Sequence, residues 1–215
     1  MSQKYYSTVL DNFRKWAPFY DAFSAPFHGA RRAIVEAVAP RNDEKILDIC
    51  TGTGAVALAL AKAGASVTGI DLSDAMLGRA RRKRGSESVR LLRMNAVELL
   101  FRPDEFETAT ISFGLHEMPV EIIRRVLRET HRVATHRLIV IDYRLPRPKL
   151  LAALYRLIVG SYEGPFCMAF LKLDLAALAR EEGFNLERQQ TALWGLCHVL
   201  TFRKTSQPTG SPLTA

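Results

Sequence analysis

The sequence contains few cysteines and no long apolar run. Its three cysteines lie far apart in the 215-residue chain and lack the spacing of metal ligands, so we predict buried free thiols and no metal site. No window approaches eighteen uninterrupted apolar residues, which excludes a transmembrane helix. The first residues, MSQKYYSTVLDNFRKW, lack the apolar core of a secretory leader. These absences predict a cytoplasmic protein in a reducing compartment.

The formal net charge of +8 is concentrated in two places, the run RARRKR (79–84) and a helical segment at 120–134. Such clusters can bind nucleic acid or an anionic membrane surface, or they can be the solvated faces of two helices. No aromatic residues interleave with either cluster, as single-stranded nucleic acid would require. We therefore expect solvated faces and no nucleic-acid partner. Transient contact with an anionic membrane surface stays open.

Predicted strands and helices alternate along the chain, which is typical of a parallel sheet covered on both faces. The apolar stripe of 120–134 has the spacing of an amphipathic helix, and two final runs form an antiparallel pair around Gly195. We predict an α/β fold with a Rossmann-like, doubly wound, seven-stranded sheet. Residues 1–204 would form one domain, with 1–40 as a helical cap and 205–215 as a disordered tail. The predicted strands are 44–49, 66–71, 88–95, 107–114 and 137–143, followed by the pair at 186–194 and 197–204. The first predicted helix is 55–64, and the next one is 75–85, capped by Ser73 or Asp74.

The stretch ILDICTGTGAVA (46–57) is a glycine loop between a predicted strand and a predicted helix. From Gly52 onward it satisfies the dinucleotide pattern G-x-G-x-x-(G/A), and Asp71 follows at the distance of a ribose-binding acid. Asp48, however, ends the strand just before the loop, and a carboxylate there would repel a pyrophosphate. It would suit a ligand that presents an ammonium group.

Polar residues end the first three predicted strands, at Asp48, Asp71 and Asn95. Asp71 can accept hydrogen bonds from both ribose hydroxyls, and the Asn95 amide can read the edge of an adenine. An adenosyl ligand with an amino-acid tail, such as S-adenosylmethionine (SAM), fits all three positions, whereas NAD fits only the second. An NAD-dependent oxidoreductase remains the alternative interpretation.

The segment ILDICTGTGAVALALAKAGASVTGIDLSDAML resembles motifs I and II of the class I SAM-dependent methyltransferases. It is most similar to the branch of the ubiquinone/menaquinone C-methyltransferases (methyltransferase type 11). FRKWAPFYDAF, NAVELLF, FGLHEMP and FLKLDLAALAREEGF extend the resemblance, but the Y-D-x-M-N signature of the quinone enzymes is present only as YDAFS. The resemblance implies SAM as cofactor, S-adenosylhomocysteine (SAH) as product, and a cofactor site made by Asp48, Cys50, Gly52, Gly54, Asp71, Leu72, Met76, Asn95, Ala96 and Phe113.

Methyl transfer depends chiefly on aligning the acceptor with the methyl group, although many acceptors must also lose a proton. His116 is the candidate base, Glu117 the candidate partner that orients it, and Tyr20 a candidate contact to the sulfonium. Alternatively, His116 bonds the backbone and Tyr20 belongs to a packed helix.

The apolar run 149–173 predicts a hydrophobic or lipid-like acceptor, such as a quinone precursor, a lipid headgroup or a secondary metabolite. A homodimer interface or ordinary helix packing would explain the same run. We predict a SAM-dependent methyltransferase with a small-molecule acceptor. A SAM-binding module without turnover is a further alternative.

Overall fold

A computed structural model describes residues 3–23, 28–146, 148–162 and 165–206 of the chain, and within them helices and strands alternate as predicted. Three helices precede the first strand, and the last two strands follow one another directly. The elements are α1 (Gln3–Trp16), α2 (Tyr20–Phe23), α3 (His28–Val38), β1 (Lys45–Ile49), α4 (Ala55–Lys62), β2 (Ser66–Asp71), α5 (Asp74–Ala80), β3 (Val89–Arg93), β4 (Phe106–Ser112), α6 (Val120–Val133), β5 (Ala134–Tyr143), α7 (Lys149–Tyr162), α8 (Pro165–Phe170), α9 (Leu175–Glu181), β6 (Phe184–Ala192) and β7 (Cys197–Lys204).

The strands form one seven-stranded sheet in the order β3-β2-β1-β4-β5-β7-β6. The pairs among β1 to β5 are parallel, whereas β7 is antiparallel to both β5 and β6. The predicted Rossmann-like fold with a C-terminal antiparallel pair is therefore confirmed. The strand order reverses between β1 and β4, and in such sheets ligands bind at the carboxyl ends of the strands beside this switch point.

Strand β5 shows why the sheet is covered on both faces. Leu138 and Val140 belong to one apolar core, and the alternating residues Ile139 and Ile141 belong to the other. All four side chains are fully buried. Because neighbouring side chains on a strand point to opposite faces, an apolar run of this kind requires helices on both sides. Helices α6 and α9 contribute to the first core, and α3 and α4 to the second.

Helix α5 is shorter than the sequence indicates. Its start agrees with the prediction, since the Ser73 hydroxyl accepts a hydrogen bond from the Met76 N–H at 3.4 Å. The predicted helix continued through 85, but α5 ends at Ala80 and a turn follows. Gly85 closes that turn at a φ of 87°, which favours glycine. Most of the run 79–84 therefore lies beyond the helix.

The arginines of α6 make ion pairs within the fold. Arg124 lies 2.6 Å from a carboxylate oxygen of Glu181 and 3.1 Å from one of Glu182. Arg128 lies 3.1 Å from the other oxygen of Glu182, whose side chain is buried. These contacts fasten α6 to the end of α9. They give this basic face a structural role that requires no external anion.

The cap and the cysteines agree with the sequence where the structure describes them. Helices α1 to α3 lie within the predicted cap at 1–40, whereas residues 207–215 of the predicted tail lie outside the described residues. All three cysteines are free thiols, and Cys167 and Cys197 are buried as predicted, whereas Cys50 is only partly buried. Within the described ranges, no helix combines the length and the apolar character that crossing a bilayer demands.

Gly183, just after α9, supports a prediction about stability. Its φ is 88°, and a Cβ there would lie 2.6 Å from Nε2 of His131, which hydrogen-bonds the Thr205 carbonyl at 3.0 Å. We expect Gly183→Ala to lower the free energy of unfolding by about 2 kcal/mol, because it adds backbone strain and disturbs that bond. The measurement is urea unfolding.

Gly78→Ala is the matched control for Gly183→Ala. Gly78 lies inside α5, and a Cβ there would meet nothing within 4 Å. Since alanine is the better helix former, this variant should be as stable as the wild type or more stable, by up to about 1 kcal/mol. A Gly183→Ala protein with wild-type stability would show that neither the left-handed φ nor the contact with His131 constrains this position.

Candidate active site

A cleft lies at the carboxyl ends of the parallel strands, beside the switch point between β1 and β4. The loops after β1, β2, β3 and β4 form its floor, and α1 and Tyr20 of the cap lie over it. All but one of the predicted cofactor residues line this cleft, as do all three candidate catalytic residues. Those lining it are Asp48, Cys50, Gly52, Asp71, Leu72, Met76, Asn95, Ala96, Phe113, His116, Glu117 and Tyr20, while Gly54 caps α4 behind the loop.

The loop after β1 depends on three residues in the left-handed region. Cys50, Gly52 and Gly54 have φ values of 57°, 56° and 74°. A Cβ at Gly52 would meet nothing within 4 Å, so the space in front of this residue is open. The sequence suggests only that a small residue is needed at Cys50. The structure shows a stronger constraint, because this position carries backbone strain in any residue except glycine.

Asp48 is almost fully buried at the end of β1. Its two carboxylate oxygens accept hydrogen bonds from the hydroxyls of Thr51 at 2.6 Å and Thr110 at 2.7 Å. Burial raises the pKa of Asp48 to about 6, although these two hydrogen bonds oppose the shift. The site therefore contains a carboxylate with polar partners and no cation among the bonds that hold it.

Asp71, at the end of β2, connects the glycine loop to the start of α5. One oxygen accepts a hydrogen bond from the Gly52 N–H and the other from the Ser73 N–H, both at 2.8 Å. Burial raises the pKa of Asp71 against the effect of these bonds. A carboxylate oxygen has two lone pairs, so each can accept a further bond from the cleft.

The residues predicted to contact an adenine lie together on the β2 and β3 side of the cleft. Leu72 and Met76 come from the segment after β2, and Asn95 and Ala96 from the segment after β3. The Asn95 side-chain oxygen accepts a hydrogen bond from the Val97 N–H at 3.3 Å, which fixes the orientation of the amide. This part of the cleft is a slot between apolar side chains with one amide at its edge.

His116 lies on the other side of the switch point, in a helical turn after β4, and it is buried. Its Nδ1 is 2.7 Å from Oδ1 of Asp142, and its Nε2 is 3.8 Å from a carboxylate oxygen of Glu117. Because a carboxylate only accepts, Nδ1 carries the proton in this pair when the imidazole is neutral. Asp142 therefore fixes the tautomer, with Nε2 as the unprotonated nitrogen of the neutral ring.

Asp142, an aspartate near the end of β5 that the sequence places either at the acceptor side or in the core, is the partner of the His116 ring, a pairing that the sequence does not indicate. It is fully buried near the end of β5, and it also accepts hydrogen bonds from the backbone N–H groups of Leu115 and Tyr143, at 3.1 and 2.8 Å. Its position opposite His116 depends on the β4–β5 pairing. The sequence shows only an aspartate near the end of a strand, which is consistent with packing as well as with function.

Aromatic rings surround the His116 end of the cleft. The Tyr143 ring lies 4.6 Å from the His116 ring and 5.5 Å from the Phe113 ring, measured between centroids. The Phe170 ring of α8 lies 6.5 Å from His116. The surroundings of the histidine are therefore apolar, in contrast to the polar Asp48 end.

A hydrogen-bonded cluster holds the cap on the glycine loop. The Asp21 carboxylate accepts bonds from the Thr53 hydroxyl and from Nζ of Lys83, both at 2.7 Å, and Arg79 lies 3.5 Å away. Burial works against the ionised form, but these donors outweigh it and the pKa of Asp21 is lowered. The cluster fixes α2, and with it Tyr20, over the cleft.

Comparison with known proteins agrees with this geometry. Residues 46–137 match a protein family described as a methyltransferase domain. A demethylmenaquinone methyltransferase from Staphylococcus aureus is 39% identical over 107 residues, which are 48% of this chain and 44% of that protein. A ubiquinone/menaquinone biosynthesis C-methyltransferase (UbiE) from Rhizobium rhizogenes is 34% identical over 151 residues, 63% of this chain and 58% of that protein. The chain thus spans about half the length of the curated relatives it matches.

Among solved structures, the magnesium protoporphyrin IX methyltransferase from Synechocystis with bound SAH superposes with a TM-score of 0.70. The identity is 19%, and the match covers 93% of this chain and 99% of that one. At this identity the likeness concerns the fold. The match over residues 46–137 identifies that part of the chain as a methyltransferase domain, and the fold agrees with that of the class I SAM-dependent methyltransferases.

Proposed function

We propose that the chain transfers the methyl group of SAM to a small apolar acceptor, and that His116 takes up the proton which the acceptor loses. The observation that carries this proposal is the division of one cleft into two ends. Buried carboxylates and a glycine loop lie at one end, and a histidine–aspartate pair among aromatic rings lies at the other.

The polar end fits SAM by the chemistry of its donor set. Asp48 would face the ammonium group of the methionine part, and Asp71 would accept bonds from the ribose hydroxyls. Arg31 of α3 lines the same cleft and carries the charge that the methionine carboxylate would need. The Ser112 hydroxyl, at the end of β4, is buried without a hydrogen-bond partner among the described residues, as expected for a group that meets a ligand.

SAM would supply a methyl group on a positively charged sulfur, which leaves as a neutral thioether. The chain's own task is then to hold the acceptor in line and to manage its proton. With Nδ1 bonded to Asp142, Nε2 of His116 would accept a proton from a hydroxyl of the acceptor as the new bond to carbon or oxygen forms. The buried Asp142 carboxylate would stabilise the resulting imidazolium.

The acceptor end supports an apolar, aromatic substrate. Tyr143, Phe113 and Phe170 surround His116, and the named activities of the relatives concern quinones. A reduced quinone carries hydroxyl groups whose deprotonation activates the ring, which matches the position of the base. The incomplete signature YDAFS keeps other phenols, lipid headgroups and secondary metabolites within the proposal.

The first test is cofactor binding by calorimetric titration with SAH. We expect the wild-type chain to bind SAH in the micromolar range and Asp71→Ala to lose at least tenfold in affinity, because two charge-assisted ribose bonds disappear. Asp74→Ala is the matched control, since this exposed aspartate on α5 pairs only with Arg93 at 3.0 Å in the described structure. Stabilisation by NAD but not by SAH would support an oxidoreductase instead.

The second test is the pH dependence of SAH binding. Because burial raises the pKa of Asp48 to about 6, the carboxylate is ionised above that pH and protonated below it. An ammonium ligand requires the ionised form, so the affinity should fall about tenfold for each pH unit below 6. The free energy of unfolding of the ligand-free protein should instead rise as the pH falls through 6, because burying a neutral carboxyl group costs less than burying a carboxylate. Asp48→Asn should bind weakly with no such pH dependence, and an identical profile would contradict the assignment.

The third test is methyl transfer from labelled SAM to reduced demethylmenaquinone and simpler hydroquinones. We expect His116→Gln to lower kcat by roughly 10²- to 10⁴-fold with SAH affinity unchanged, and Asp142→Asn to lower it by at least 10²-fold. In both variants the pH–rate limb that reports the base should disappear. His136→Gln, at an exposed histidine, should keep the wild-type rate. A His116→Gln enzyme with the wild-type rate would show that His116 is not the base.

A further inference from the structure

Helix α7 exposes a row of large apolar side chains. Leu150 and Leu157 are 84% and 73% exposed, and Leu151 and Leu154 are more than half exposed. Their spacing along the chain places them on one side of the helix. Single exposed leucines are common on protein surfaces, but four on one helix of fourteen residues form a patch of the kind that marks an interaction site.

Trp194 lies at the end of the sheet where β5 leads into the α7 segment, and it is 96% exposed. It occupies the turn between β6 and β7, where Leu193 and Trp194 both have left-handed φ values, 50° and 54°. The turn is tied to the start of the α7 segment, since the Arg144 N–H donates to the Leu196 carbonyl at 2.9 Å. The exposed side chains of Leu150, Leu151, Leu154, Leu157 and Trp194 are called the leucine–tryptophan face below.

The segment that bears this face is basic. Residues 143–162 contain Arg144, Arg147, Lys149 and Arg156 and no aspartate or glutamate. Arg156 is exposed on α7 itself, between Leu154 and Leu157. An apolar row accompanied by cations, with a tryptophan beside it, is the composition of helices that lie in the interface of an anionic bilayer.

The inner side of α7 packs against the core around Tyr143, which lines the acceptor end of the cleft. Val159 is buried in the core, and the Tyr155 ring lies 6.5 Å from the ring of Tyr143. Tyr143 in turn lies 4.6 Å from the His116 ring. The rings of Tyr155 and Tyr143 therefore lie between helix α7, which carries the exposed leucines, and His116 at the proposed reaction centre.

We propose that the leucine–tryptophan face docks on the surface of an anionic lipid bilayer, from which the enzyme takes an apolar acceptor. The uptake of the acceptor from the bilayer rests on the function proposed above, whereas the docking itself does not. A second copy of the chain is the weaker occupant, because a two-fold interface would bring the basic segments of both copies together. Anionic headgroups would neutralise the same charges.

The test is sedimentation of the full chain with vesicles of phosphatidylcholine alone or mixed with phosphatidylglycerol. We expect binding to the anionic vesicles that weakens at high salt, and at least tenfold weaker binding by the double variant Leu154→Glu/Leu157→Glu. Leu100→Glu is the matched control, because Leu100 is also highly exposed but lies in the loop between β3 and β4. It should bind as the wild type does.

Fluorescence gives a second measurement that does not depend on the charge variants. The chain has two tryptophans, so Trp16→Phe leaves Trp194 as the reporter. Its emission should shift to the blue on anionic vesicles. Wild-type protein that stays in the supernatant with every vesicle would overturn docking, as would unchanged binding of the double variant. Loss of a dimer in that variant, without vesicle binding by the wild type, would assign the face to a second copy.

SAH titration separates the two proposals. If the wild type and the double variant bind SAH equally while neither binds vesicles, docking fails and the proposed function stands. If the wild type binds vesicles but not SAH, the proposed function fails and docking stands.

Discussion

The site depends on the hydrogen bonds that the Asp71 carboxylate accepts. By accepting the N–H of Gly52 with one oxygen and that of Ser73 with the other, it ties the loop after β1 to the start of α5. The loop needs such a tie, because Cys50 holds a left-handed conformation that costs about 1–2 kcal/mol in a residue with a side chain. The carboxylate that stabilises the loop is also the one that lines the cleft, so the loop's shape and its binding chemistry have a common origin.

The buried carboxylates of Asp48 and Asp142 differ in the groups that stabilise them. Asp142 accepts hydrogen bonds from the His116 ring and from the backbone N–H groups of Leu115, His116 and Tyr143. Asp48 has two neutral hydroxyls, and burial raises its pKa to about 6. A carboxylate so placed is stabilised by a cationic ligand, whereas Asp142 is already satisfied within the chain. The strand order β1-β4-β5 brings these two environments to opposite ends of one cleft.

Much of this could be predicted from the sequence, because the relevant residues are close together in it. The glycine loop, Asp48 and Asp71 follow from one motif, and the alternation of strands and helices gives the sheet. The partner of His116 could not be predicted, since Asp142 lies 26 residues away and reaches it only through the β4–β5 pairing. The bond from Thr53 to Asp21, 32 residues apart, likewise depends on how the cap packs. Local signals also misplaced the end of α5, where the turn at Gly85 prevails over the helix-forming arginines.

Helix α7 connects the two proposals through its geometry. An amphipathic helix normally buries its apolar side, but α7 has apolar residues on both sides: Tyr155 and Val159 inward, and the leucines outward. The inner side packs behind Tyr143, whose ring lies beside His116. The outer leucines have no such contact with the core, and exposing them to water is unfavourable. A surface that lies one helix away from the proposed base, and that is both apolar and basic, is suited to the anionic bilayer proposed above, from which an apolar acceptor could be drawn.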